Sequence, residues 1–239
     1  MDGDLVTVIN ELQRRPTFAA LTQGLQSALD MVGVKRFSYH HQPPPGAFDR
    51  ASCLNVFAIG FPDDWVETYQ EEELYKHDPI PKRAAASTRP FFWSECTAEP
   101  GSKAAEYLGR LYEACLGDGL AVPVCGPHGR NGYVGLGCAE GRCPWTADQR
   151  IFMHYVSQAG HLRYCELLTQ KLPSATVLSE RENEILRWIA QGKSNAVIAD
   201  ILELSPNTVD TYTRRIFKKL KVVDRVTASL RGFALGFLD

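Results

Sequence analysis

The chain has seven cysteines but no CxxC pair; they stand singly at 53, 96, 115, 125, 138, 143 and 165. Neither a paired-thiol zinc site nor a dithiol redox motif is therefore encoded, and reduced thiols filling cores are expected. The six histidines are also dispersed. His40-His41 reads as a strand end, and no metal is expected. There is no nucleophile elbow, no metal-ligand spacing and no phosphate-binding glycine loop, which argues against an enzyme and against a cofactor. No apolar run approaches the ~18 residues needed to span a bilayer, and the start Met1-Asp2-Gly3-Asp4 is acidic, unlike a signal peptide. A cytoplasmic protein with no membrane partner is expected. A strong excess of one charge is missing too. Residues 1–173 hold 16 Lys and Arg against 20 Asp and Glu, and residues 174–239 hold 10 against 8, so −4 and +2 give the net −2. A +2 segment is too weakly basic to establish nucleic-acid binding by composition.

Against these absences stands a chain of 239 residues with 44% hydrophobic residues, enough for two modest cores. The strongest pattern is C-terminal. In Leu178-Ser179-Glu180-Arg181-Glu182, Ser179 can cap a helix and Glu182 can complete a capping box. Ile185, Leu186, Ile189 and Ala190 follow at helical spacing. Gly192 ends that helix and Ser194 can cap a short second one, whose expected buried stripe is Val197, Ile198, Ile201 and Leu202. Ser205-Pro206 is a cap followed by proline at the first helical position, so a third helix is expected from Pro206 to about Lys219. Val209, Tyr212, Ile216 and Leu220 would face its core. Asn207, Thr208, Asp210, Thr211, Arg214, Arg215, Lys218 and Lys219 would face outward. Amides, hydroxyls and cations on one face are the groups that read base edges and grip phosphates, although a solvated helix face has the same composition. The short preceding helix and the tight turn favour a helix-turn-helix. Arg225 to Leu235 would form a fourth helix.

In the N-terminal part, Leu5–Leu12 and Phe18–Val32 read as helices, the second interrupted only by Gly24. Phe37–His40 and Ser52–Ile59 read as strands, and a helix starting at Pro62-Asp63-Asp64 places Trp65 and Tyr69 on one face. Ser102–Leu116 reads as an amphipathic helix. Leu120–Val124 and Gly132–Cys138 read as strands joined by a glycine-rich turn. A long helix over Trp145–Leu168 is expected to bury Phe152, Tyr155, Val156, Ala159, Leu162 and Leu167. This order predicts an α+β chain: an N-terminal α-β-α sandwich around an antiparallel sheet, then an all-α four-helix domain. The boundaries expected are 1–169 and 177–239, with a linker over 170–176 around Pro173-Ser174-Ala175.

Trp65, Tyr69, Asp78 and Trp93 form the constellation of interest. A carboxylate among aromatics is costly to bury unless something donates a hydrogen bond to it. Two readings satisfy that need: Asp78 caps the helix beginning at Pro79, or a ligand amide N–H donates to it while Trp65 offers its own N–H to a ligand carbonyl. Gly135 and Gly137 leave the face shared with Tyr133 without side chains. That vacancy provides either room for a bulky or long ligand group or a close backbone approach.

Leu178–Glu182, Gly192-Lys193, Ile198-Ala199, Thr208-Val209 and Ile216–Leu220 together resemble the DNA-binding domain of LuxR-type transcription regulators. Tyr212 departs from it, many members having histidine there. The spacing of Trp65–Tyr69, the 13 residues on to Asp78-Pro79 and the 15 further to Trp93 is similar to the autoinducer-binding domain of the same family's acyl-homoserine-lactone receptors. The resemblance implies a quorum-sensing regulator that binds an N-acyl-homoserine lactone, pairs as a homodimer on two-fold-related double-stranded DNA and has RNA polymerase as a further partner. It implies that Trp65 holds the lactone carbonyl and Asp78 the amide N–H, with Tyr69 and Trp93 walling the pocket. Three departures bear on the ligand. Phe61 stands where the family often has a tyrosine, Gly135 where it has serine or threonine, and Cys115 where glycine is common. On the DNA, Asn207, Thr208, Thr211 and Arg214 would meet base edges, and Lys193 with Ser194, Arg215 and Lys218 would meet phosphates. The rival readings are a ligand-independent or non-lactone-sensing regulator or antagonist, a response regulator, and a lactone hydrolase. Residues 1–15 lack the response regulator's acidic phosphorylation cluster.

Overall fold

The computed structural model describes residues 2–48, 56–113, 116–137, 145–171 and 177–238. Cys53, Cys115, Cys138 and Cys143, the first part of the expected Ser52–Ile59 strand and Pro173-Ser174-Ala175 lie outside the described residues. By contacts the chain divides into two compact units. The first comprises 1–42, 54–126 and 131–169; the second comprises 43–53, 127–130 and 170–239.

The first unit is built on a five-stranded antiparallel sheet. Its strands are β1 (Arg36–Gln42), β2 (Val56–Ile59), β3 (Phe91–Phe92), β4 (Gly119–Cys125) and β5 (Asn131–Gly137), ordered β2-β1-β5-β4-β3. Helices α1 (Asp2–Gln13), α2 (Phe18–Asp30), α3 (Asp63–Glu71), α4 (Pro79–Ala85), α5 (Lys103–Glu113) and α6 (Ala147–Lys171) flank it. The expected α+β architecture is thus the observed one.

Alternation along the strands separates two cores. Phe37, Tyr39, Leu120, Val122, Val124, Val134 and Leu136 point into one, with Leu21, Ala28 and Leu29 of α2 and Phe152, Met153 and Val156 of α6. Ala121 and Tyr133 point into the other, with Tyr69 of α3, Ile80 and Ala84 of α4, and Tyr107 and Leu111 of α5. The register seats Ser38 against Gly135 and His40 against Tyr133 on this second face.

Local signals explain the helix starts. Thr17 accepts from the Ala20 N–H at 3.2 Å to cap α2, and the Ser102 hydroxyl accepts from the Ala105 N–H at 3.2 Å ahead of α5. Gly24 lets α2 pack closely, since a Cβ there would sit 3.1 Å from Leu12 Cδ2. The burial expected for α6 needs correction at two residues. Tyr155 and Leu162 are exposed at 54% and 38%, while Met153 and Cys165 are buried instead. Tyr155 and Leu162 lie seven residues apart with Ile151 on one side of the helix, so the apolar periodicity there records two faces rather than one.

In the second unit α7 (Glu180–Ala190), α8 (Asn195–Leu202), α9 (Pro206–Leu220) and α10 (Arg225–Ala234) form a four-helix region around Ile185, Leu186, Ile198, Val209, Ile216 and Leu220. The capping box forms: the Ser179 hydroxyl accepts from the Glu182 N–H at 3.3 Å, and Glu182 Oε2 accepts from the Ser179 N–H at 2.7 Å. Ser194, Ser205 and Asp224 cap the next three helices through the N–H groups of Val197, Thr208 and Thr227. Three side chains differ from expectation. Val197 and Ile201 are both 41% exposed, because only the Ile198–Ala199 side of the short α8 meets its neighbours. Lys219 is half-buried rather than outward, its Nζ donating to Glu182 Oε2 at 2.6 Å and to the Val177 carbonyl at 3.1 Å.

Gly119 is a point of close contact on the second face of the sheet. A Cβ there would lie 2.6 Å from both the Leu136 carbonyl oxygen and the Trp93 ring. Gly119→Ala is expected to destabilise the protein by ~1–3 kcal/mol through overpacking. A urea midpoint equal to that of the parent would show that the ring moves aside without cost.

Candidate ligand cavity and nucleic-acid interface

The second face of the sheet holds a cavity of about 70 Å³, room for a few water molecules. Phe61, Trp65, Tyr69, Asp78, Trp93 and Tyr133 all border it, joined by Ser38, His40, Ile80, Tyr107 and Leu111. Helical spacing in α3 delivers Trp65 and Tyr69, Asp78 ends the turn before α4, and Tyr133 rises from β5. Most of the wall is aromatic. The rings of Trp65 and Tyr107 lie 6.3 Å apart, those of Tyr69 and Tyr107 6.1 Å, and those of His40 and Tyr69 6.4 Å.

Asp78 is 7% exposed and caps the helix that follows it, the first of its two readings, while also bordering the cavity. Its Oδ1 accepts from the Ile80 N–H at 2.8 Å, capping α4, while the Tyr69 hydroxyl donates to Oδ2 at 3.0 Å. Burial pushes its carboxyl up to about 6, against the opposing effect of hydrogen bonds from Ile80, Tyr69 and Tyr107. Burial also raises the phenols of Tyr69, Tyr107 and Tyr133, with the nearby carboxylate adding to the shift, so all three stay protonated donors. Trp93 is 6% exposed, and among the described residues its indole Nε1 has no hydrogen-bond partner. Trp65 is only half-buried. The site therefore presents a buried acceptor, an unpartnered buried N–H donor and a flat aromatic enclosure, a set suited to a small amide- and carbonyl-bearing molecule.

Gly135 and Gly137 do not open extra room. A Cβ on Gly135 would lie 2.7 Å from Ser38 Oγ and 3.4 Å from the Trp93 ring, and one on Gly137 would lie 3.3 Å from Arg36 Cβ. The missing side chains admit the close packing of neighbouring side chains rather than a ligand group or a close backbone approach. Sequence reasoning missed Tyr107, Ser38 and His40. The last two were legible in the alternation Phe37-Ser38-Tyr39-His40, whose polar members share the face of Tyr133.

On α9, Asn207, Thr211, Arg214, Arg215 and Lys218 are exposed and Thr208 is half-exposed. Asn207, Thr208, Thr211, Tyr212 and Arg215 line one shallow depression. The Thr211 hydroxyl donates back to the Asn207 carbonyl at 2.9 Å, Arg214 pairs with Asp210 at 2.9 Å, and the Arg215 guanidinium lies 5.7 Å from the Tyr212 ring centre. Lys193 and Ser194 stand at the start of α8. Arg225, which the motif reading passed over, ties that start to α10 by donating to the Lys193 carbonyl at 2.6 Å and to Asn195 Oδ1 at 2.8 Å. No helix among the described residues is long and apolar enough to cross a membrane.

Comparison with known proteins gives two family matches. One, described as autoinducer binding domain, covers residues 17–164; the other, described as bacterial regulatory proteins, luxR family, covers residues 176–230. The chain is 30% identical over 185 residues to the quorum sensing-dependent transcriptional regulator RpaR of Rhodopseudomonas palustris, with 77% of this chain and 75% of RpaR covered. It is 26% identical over 203 residues to y4qH of Sinorhizobium fredii, named as an HTH-type transcriptional regulator; that match takes in 81% of this chain and 60% of y4qH. In fold it is similar to Escherichia coli SdiA, with a TM-score of 0.78 at 22% identity over 98% of this chain and 97% of that one.

The buried carboxyl makes stability depend on pH in a definite direction. Because the folded state raises Asp78 from 3.8 to about 6, it holds the proton more tightly than the unfolded chain does. The resulting stabilisation is complete below the ordinary value and is lost as pH rises through about 6, a change of roughly 3 kcal/mol at most. Asp78→Asn removes this slope, so urea midpoints of parent and variant should diverge between pH 4.5 and 7. Parallel midpoints across that range would mean that Asp78 ionises normally.

Proposed function

The chain belongs to the LuxR family of bacterial regulatory proteins, with an autoinducer-binding domain preceding its DNA-binding domain, and from that premise we propose that it is a quorum-sensing regulator responsive to an N-acyl-homoserine lactone. The family is one of transcription regulators rather than enzymes. We read residues 1–169 as the sensor, 170–176 as a linker and 177–239 as the DNA-binding domain. The observation that carries the lactone reading is the Asp78 carboxylate in the wall of an aromatic cavity. A ligand amide N–H would add to or replace the Tyr69 hydroxyl there, and the indole N–H groups of Trp65 and Trp93 would meet ligand carbonyls. Phe61 and Gly135 supply no hydroxyl to the acyl carbonyl, each loss forfeiting ~1 kcal/mol.

Ligand burial would stabilise the sensor by mass action, by about 2.7 kcal/mol at 100 times the dissociation constant. We read the active species as a homodimer. Support comes from α6, which exposes Ile151, Tyr155 and Leu162, and from α10, which exposes Val226, Leu230 and Phe233 at positions i, i+4 and i+7. Two recognition helices would then meet a two-fold-related promoter site, with RNA polymerase as a further partner. A ligand-independent regulator is the second reading. It is favoured by the two hydrogen bonds that already satisfy Asp78 without a ligand.

Thermal midpoints of the full chain with a panel of acyl- and aryl-homoserine lactones separate the two. A rise of several degrees with a subset of the panel, lost in Asp78→Asn and reduced in Trp65→Phe, is expected. Protein refolded from denaturant that responds to none of them would favour ligand independence.

The DNA interface has its own test. Arg214→Ala should relax sequence preference. Lys218→Ala should weaken specific and random DNA alike and lower the salt slope by about one. Equal losses on both DNAs for Arg214→Ala would place that side chain on the phosphates instead.

A further inference from the structure

One wall of the cavity is polar in a way the lactone end does not require. Ser38, His40 and Tyr133 are 8%, 7% and 3% exposed, and all three border the cavity. The imidazole of His40 stacks on the Tyr133 ring at 4.2 Å and 19°. Its Nε2 lies 3.1 Å from the Ser38 hydroxyl and 3.0 Å from the Tyr133 hydroxyl. Burial pushes His40 down to about 3, so the ring is neutral at physiological pH. A neutral imidazole nitrogen carries one lone pair or one hydrogen, never both. Nε2 therefore completes a bond with one hydroxyl and leaves the other with unused hydrogen-bonding capacity at the cavity wall. Such a group costs free energy in an apolar enclosure unless something entering the enclosure satisfies it. Gly135 permits the arrangement, because a Cβ there would lie 2.7 Å from Ser38 Oγ.

We propose that Ser38, His40 and Tyr133 form a polar subsite that takes a hydroxyl oxygen on the ligand's side chain, so that the ligand's acyl group is a hydroxylated one rather than a plain hydrocarbon. The inference rests on the lactone-sensor reading above and extends it from the amide to the acyl group. A hydroxyl both donates and accepts, so it completes the triad in either tautomer of His40. A saturated chain in the same place leaves the spare hydroxyl unpaired and desolvated, and sites built to bond a hydroxyl reject analogues that lack it. The aromatic walls also suit a phenol, whose ring would stack beside His40 while its oxygen reaches the triad.

The test is calorimetric titration of the full chain, refolded from denaturant so that no occupant is carried over. Two matched pairs of ligands are used: 6-hydroxyhexanoyl- against hexanoyl-homoserine lactone, and 3-(4-hydroxyphenyl)propanoyl- against 3-phenylpropanoyl-homoserine lactone. In at least one pair the hydroxylated member should bind about tenfold or more tightly. Tyr133→Phe and Ser38→Ala should shrink that ratio; circular dichroism checks that each variant folds. Equal affinities within both pairs, or variants that weaken both members equally, would overturn the subsite and leave the lactone reading standing. Binding of 6-hydroxyhexanamide, which has no lactone ring, with no binding of any lactone would overturn the lactone reading and leave the subsite standing. No binding by any of these compounds overturns both.

Discussion

A carboxylate held out of water needs donors, and the surroundings of Asp78 are arranged around that need. The Ile80 N–H at the start of α4 and the Tyr69 hydroxyl from α3 together hold it, which fixes where two helices stand relative to each other on one face of the sheet. Burial also makes it a strained acceptor, raised to about 6. A ligand that donates one more hydrogen bond would relieve part of that cost. The same carboxylate thus caps a helix and borders the cavity.

The sheet supplies the second constraint. Its two faces are separated by a period of two, so Phe37, Tyr39, Val134 and Leu136 pack one core while Ser38, His40 and Tyr133 line the cavity. A one-residue slip between β1 and β5 would exchange these sets and bury the polar ladder in the wrong core. Register is therefore a functional property as well as a structural one. Gly119 and Gly135 belong to the same logic, since each leaves space for the Trp93 ring, and Gly135 for the Ser38 hydroxyl as well.

The DNA-binding region divides its polar residues between holding the fold and meeting a partner. Glu182 and Lys219 are committed to structure, joining the start of α7 to the end of α9. Arg225 is committed too, through Lys193 and Asn195. Arg214 and Asp210 pair on the surface, where such a contact contributes little and is readily given up. An arginine in that state is available to a base edge at small cost, whereas Lys219 is not.

By itself the sequence determined what depends on short-range chemistry. Capping serines, Pro206 and the i, i+3, i+4 apolar spacing place α7 to α10 because those signals act within one or two turns. Alternation and turn residues do the same for β1, β4 and β5, and helical spacing puts Trp65 beside Tyr69. Only the tertiary structure decided which of several locally equivalent choices holds. It made Asp78 both a cap and a cavity wall, filled the space beside Gly135 with Ser38 and Trp93, drew Lys219 back to Glu182 and left Tyr155, Leu162, Val197 and Ile201 outside. It also joined Ser38 and His40 of β1 to Tyr133 of β5, residues more than ninety positions apart. Local propensity is blind to such pairings, because a side chain's partner across a sheet is set by register and layer packing rather than by its neighbours in the chain.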